Sequence, residues 1–218
     1  MCFSAEADFA AAAVVGTIGV VTLRQVRTRR ELIVGSLPLL FAVHQLVEGF
    51  VWLGFSGQVS AEVGEAAMYV YVIYAFAILP MLVPIGFLLL EPLAGHRRLL
   101  RPFVVLGIAV GLFYLWHVVT DPVVAIEHPH GIEYKSGALG GYFAAIAYVV
   151  ATCGPALLSS RRYLQWFGVV NLVAAAVAFS VHQVEFASIW CLYAALASLL
   201  ILEYFRRERD QSVDLVTA

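Results

Sequence analysis

Charge is what this chain most lacks: Asp, Glu, Lys and Arg together make up 13% of its 218 residues, against about 25% in an ordinary soluble domain. Lysine is nearly absent, Lys135 being the sole example. A net charge of −2 leaves no basic surface for nucleic acid. Three cysteines, Cys2, Cys153 and Cys191, stand at no paired spacing, which excludes a disulfide framework and a CxxC metal or redox motif. What is present instead is hydrophobic, at 62% of the residues with a mean hydropathy of +0.89. A globule of this size cannot bury so much apolar surface, and a disordered chain would carry far less of it. The composition predicts an all-α polytopic membrane protein.

Each crossing needs about 20 mostly apolar residues in a helix, because an unpartnered backbone polar group is costly in hydrocarbon. Seven such stretches stand at approximately 7–23, 32–55, 66–90, 99–120, 139–158, 163–182 and 185–205. Residues 163–205 are about twice one crossing, and the polar cluster His182, Gln183 and Glu185 marks where they turn back. The expectation is a single seven-helix bundle over 1–205 with a short cytoplasmic tail at 206–218. Pro80 and Pro84 predict a kink in the third helix, Asn171 an interhelical hydrogen bond in the sixth, and Cys153 and Cys191 act as small apolar packers.

Orientation follows from the arginines, which accumulate in short cytoplasmic loops. Arg24, Arg27, Arg29 and Arg30 follow the first helix, Arg97, Arg98 and Arg101 the third, Arg161 and Arg162 the fifth, and Arg206, Arg207 and Arg209 the seventh. With seven spans all four groups fall on one face, opposite Lys135, so the N-terminus is expected outside and the C-terminus inside the cytoplasmic membrane. The acidic flank MCFSAEAD has the wrong polarity for a cleavable signal, so the first helix counts as a span. A retinal Schiff base is excluded, because the one lysine lies in a loop.

An ionisable group at membrane depth is a functional candidate by default. The second helix carries His44 and Glu48, four apart on one helical face; the fourth ends with His117 and Asp121, also four apart; the turn before the seventh holds His182 and Glu185. At about 1.5 Å per residue, His117 and His182 reach a similar level near the outer boundary, with His44 nearer the midplane. VHQLVEGFVW from Val43 and VHQVEFASIW from Val181 form a weak internal echo. The loop DPVVAIEHPHGIEYKSG, with His128 and His130 flanking Pro129, reads as a lid over the outer mouth. Tyr71, Tyr74 and Tyr142 are candidates for lining the cavity beneath it, and Cys2 lies on the same side.

The opening MCFSAEADF, the HQLVEGFVWLG of the second helix and the HQVEFASIWC near the seventh together resemble a family of small, uncharacterised bacterial and archaeal integral membrane proteins that begin MCFSA. That resemblance spans essentially the whole chain and implies no activity. A looser likeness in architecture and histidine count is to seven-helix membrane hydrolases related to alkaline ceramidase, whose motifs are not found here. From the residues themselves the first expectation is a divalent-metal site, zinc foremost, with His44, His117, His182 and Glu185 as ligands and Glu48 as general base. Its substrate would be a lipid or amphiphile from the outer leaflet. Iron and a haem held by two histidines remain open, as does a proton-coupled transporter or channel using the same His and Glu residues. An accessory role, with the Arg-rich tail on a partner or anionic lipid, ranks last.

Overall fold

The structure is a computed structural model that describes residues 4–129, 131–137, 141–181 and 186–217. The described chain is helical apart from one hairpin: α1 (Ala5–Leu23), α2 (Leu32–Phe55), α3 (Ala61–Val72), a π-helical turn (Ile73–Ile78), α4 (Leu79–Leu90), α5 (Ala94–Thr120), β1 (Val124–His128), β2 (Gly131–Lys135), α6 (Tyr142–Leu157), α7 (Arg162–Val181), α8 (Phe186–Ala197) and α9 (Leu199–Thr217). Helix starts carry local signals. Ser4 and Ser60 cap α1 and α3 by accepting the N–H groups of Ala7 and Val63 at 3.3 and 3.4 Å. The Glu31 carboxylate, just before α2, accepts the N–H groups of Arg27 and Thr28 at 2.7 and 3.3 Å, which closes the α1–α2 turn.

Among the described residues six helical stretches are long and apolar enough to cross a membrane: Ala5–Leu23, Leu32–Phe55, Ala61–Leu90, Ala94–Thr120, Arg162–Ser180 and Ile189–Arg209. The third is one rod built of α3, the π turn and α4, and it starts at Ala61, earlier than the apolar run alone suggests. The remaining candidate, α6, has 16 residues, or about 24 Å against a hydrocarbon core of about 30 Å. The residues expected as a tail, 206–218, continue the helix α9 as far as Thr217.

The bundle buries several polar groups and exposes much apolar surface, unlike a water-soluble fold. Asp8, His44, Gln45 and Glu48 are buried, whereas α5 exposes Val105, Ile108, Leu112, Trp116 and Val119 at helical spacing and Phe143 on α6 is 91% exposed. Such a surface suits lipid, and Trp116 and Tyr142 at one end with Trp166 at the other suit the two interfaces.

The arginine-bearing connections meet at one end. Arg209 donates to Gln25 at 2.8 Å, Arg161 pairs with Glu208, and the 3%-exposed Glu91 carboxylate accepts from the Ser160 hydroxyl at 2.6 Å and the Ser160 N–H at 2.9 Å. Burial pushes the Glu91 carboxyl up, but the bonds from Ser160 and Leu93 together with nearby His96 outweigh it and hold the group below the ordinary glutamate range. An apolar core of Val34, Leu37, Phe41, Phe87, Leu100 and Ile201 fills this half of the bundle. The hairpin and the α2–α3 connection close the opposite end.

Pro80 shapes the middle of the third rod. It has no N–H to offer the Ala75 carbonyl across the π turn, and the buried Tyr148 hydroxyl donates to that oxygen instead at 2.7 Å. The expected kink is thus taken up as a π turn. Gly107 and Gly111 of α5 lie against the same region. A Cβ on Gly107 would stand 2.0 Å from the Pro80 carbonyl oxygen and one on Gly111 2.4 Å from that of Ala77, so two backbones touch here and only glycine fits.

Candidate functional site

His44 and Glu48 stand one helical turn apart on the buried face of α2, 3% and 0% exposed. The His44 ring stacks on Tyr71 of α3 at a centroid distance of 3.9 Å and lies 4.8 Å from Tyr74 in the π turn. Tyr71 in turn stacks on Tyr134 of β2 at 4.5 Å, making a column of three rings from helix to hairpin. The Tyr134 hydroxyl points to Glu48, donating at a long 3.5 Å. Cys191 of α8 is a buried free thiol. The Nε2 atom of His44 and the Tyr74 hydroxyl are buried with no hydrogen-bond partner among the described residues.

The hairpin holds Tyr134 in place through the two-residue period of a strand. β1 and β2 pair antiparallel with Ile126 opposite Glu133 and Ala125 opposite Tyr134. Ile132 and Tyr134 point into the bundle against Val51, Trp52, Met68 and Tyr71. Glu133 points the other way, 2.8 Å from His128 Nε2 and 3.0 Å from Lys135 Nζ. Burial raises the Glu133 carboxyl, yet its bonds to Lys135 and His128 hold it below the ordinary range. The loop is therefore a paired, charge-pinned cap.

His117 has a different setting. Its Nδ1 lies 2.8 Å from the carboxylate of Asp121, the residue just after α5, and its ring packs edge-on against Phe113 of α5. The rod Ala61–Leu90 packs against both α2, which carries His44, and α5, which carries His117. His182, Glu185, His130 and Cys2 lie outside the described residues. Among those described, no group of three or more His, Cys, Asp or Glu side chains is placed to hold a metal ion.

Other expectations divide. Tyr71 and Tyr74 line the site, whereas Tyr142 is 70% exposed. Asn171 turns its side chain back to the Phe167 carbonyl at 2.8 Å; the interhelical bond runs instead from Trp190 Nε1 to the Asn171 backbone oxygen at 3.1 Å. A cavity of about 30 Å³ lies between Asn171, Trp190, Tyr148 and Cys191, enough for one water. Sequence reasoning passed over Tyr134, although Ile-Glu-Tyr-Lys at 132–135 alternates as a half-buried strand does. It also missed Asp8 of α1 and Gln45 of α2, both of them buried.

Chemically, the column supplies a buried imidazole, a buried carboxylate and tyrosine hydroxyls from α2, the third rod and β2. A family model described as a family of unknown function (DUF6629) matches residues 1–215. No curated protein and no solved structure matches the chain.

Proposed function

The chain belongs to the DUF6629 family of unknown function, and we propose that it is a metal-binding protein of the cytoplasmic membrane, a hydrolase of a lipid or amphiphile that enters beneath the hairpin. In this reading the N-terminus and hairpin face outward and the arginine-rich end faces the cytoplasm, as the bias of cations in short loops requires. The metal is zinc, with His44, His182 and Glu185 as ligands. Zinc held by these residues would supply a water of lowered pKa, and Glu48, one turn from His44, would be the base beside it. His117 is left out of this ligand set, since its Nδ1 is already bonded to Asp121 and its ring packs on Phe113.

The observation that carries this reading is the Nε2 atom of His44, buried beside a buried glutamate and without a hydrogen-bond partner among the described residues. A buried imidazole nitrogen without a partner costs about 1–3 kcal/mol, a cost that a bound cation removes. Among the described residues the half of the bundle towards the arginine end is filled mainly by apolar side chains, which favours a site open to one side over a transporter. The test is metal analysis and a visible spectrum of the detergent-purified protein. The expected result is one zinc per chain, lost in His44→Ala and kept in His117→Ala. A Soret band would replace zinc by haem, and absence of any metal would leave the transporter reading.

A further inference from the structure

The opposite end of the molecule holds a second feature that the His44 column does not use. A cavity of about 210 Å³ opens between the start of α7 and the last turns of the membrane-spanning part of α9. Arg161, Arg162 and Arg207 line it together with Tyr163, Tyr204 and Glu208, so three guanidinium groups face one carboxylate. Glu208 takes the Nη1 of Arg161. The Arg161 Nε–H is buried all the same, with no hydrogen-bond partner among the described residues. The Arg161 side chain as a whole is 35% exposed and lines a cavity large enough to admit a small anion.

The neighbours are arranged for an anion. Arg207 is held over the Tyr163 ring, 5.0 Å from its centroid, while its Nε donates to Glu203 at 2.6 Å, so its position at the rim is fixed. Arg162 and Tyr163 are the first residues of the 20-residue helix α7, whose positive dipole end adds to the field. Ser160 is turned away, both of its donors being committed to Glu91. Planar guanidinium groups converging on one space match the tetrahedral oxygens of a phosphate better than a single carboxylate.

We propose that this cavity binds a phosphate group, carried either by an acidic phospholipid of the adjoining leaflet or by a soluble phosphate. Guanidiniums at the level of the lipid headgroups, beside the exposed apolar flank of α7, make both sources accessible.

The experiment uses the full chain in neutral detergent, with thermal stability and native mass spectrometry read against added phosphatidylglycerol, phosphatidylcholine or inorganic phosphate. One bound phosphatidylglycerol with no response to inorganic phosphate identifies the lipid source; a response to inorganic phosphate alone identifies the soluble one. In either case Arg161→Gln, Arg162→Gln and Arg207→Gln should each weaken binding by about tenfold or more. Arg161→Gln also breaks the Glu208 pair, so if it fails to fold the other two variants carry the test. No response to either phosphate source, a response equal to that given by phosphatidylcholine, or binding unchanged in the variants that fold, overturns the proposal.

Discussion

Replacing Gly107 by alanine tests the packing on which the bundle rests. A Cβ there would lie 2.0 Å from the Pro80 carbonyl oxygen, whereas carbon–oxygen contacts settle at about 3.3 Å or more. The helices must therefore separate by about 1.3 Å. The obstacle is backbone, anchored by the π turn and by Tyr148 on Ala75, and cannot swing aside as a side chain would. Overpacking of this kind costs about 1–3 kcal/mol, and the alanine's helix propensity returns about 1 kcal/mol. With the unyielding obstacle at the upper end of that range, the net loss is about 2 kcal/mol, or roughly 4–8 °C in Tm for a chain of this size. Gly95 supplies the control, since it sits in the first turn of the same helix with nothing within 4 Å of its added Cβ. Gly95→Ala should be neutral or stabilising by about 0.5 kcal/mol. The assay is thermal unfolding of both variants in one detergent. If Gly107→Ala melts with or above the parent protein, α5 does not lie against the third rod as described, and the inference from close backbone approach fails.

Glu91→Gln should cost about 2 kcal/mol, because a charged acceptor of several bonds becomes an amide that presents donors to donors. Since the folded Glu91 and Glu133 carboxyls titrate below the ordinary value of 4.5, their stabilisation is complete above that value and lost as pH falls through the lower folded values. Acid unfolding profiles of the parent, Glu91→Gln and Glu133→Gln should therefore differ below about pH 5 and run parallel above it; parallel profiles at all pH would refute the shifts. Tyr134→Ala should free the hairpin at a cost of about 3–5 kcal/mol, while Tyr134→Phe, which keeps the stack on Tyr71, should cost under about 1 kcal/mol. Hydrogen exchange across 124–135 distinguishes the two, and equal exchange would show that the ring does not anchor the cap. A chelator should lower the Tm of the parent and leave that of His44→Ala unchanged; an equal effect on both would remove His44 from the ligand set.

How the candidate site became legible follows from what each residue's neighbours in sequence reveal. His44 and Glu48 stood out because polar groups four apart in an apolar helix share a face whatever the helix packs against. His117 and Asp121 had the same signature, but their partnership closes locally at the end of α5, and no spacing rule reports which other helix a residue faces. Tyr134 carried a weak alternating pattern in a loop marked mainly by Pro122, Pro129 and glycines, and its importance comes from Tyr71 and Glu48, far away in the chain. Asp8 counted only as part of the acidic flank MCFSAEAD, yet it is buried.

Composition and periodicity alone determined that the chain is helical, apolar on its outer surface and divided into membrane-length segments, because the demand for satisfied backbone groups in hydrocarbon acts on every residue locally. The four arginine groups were readable for the same reason, each being a property of one short connection. Which helices touch was decided only by tertiary structure: two glycines admitting a carbonyl, a proline forcing a π turn, and a hairpin inserting one aromatic ring between helices. Such contacts depend on shape across long sequence separations, and a linear pattern of polar and apolar residues does not encode them one residue at a time.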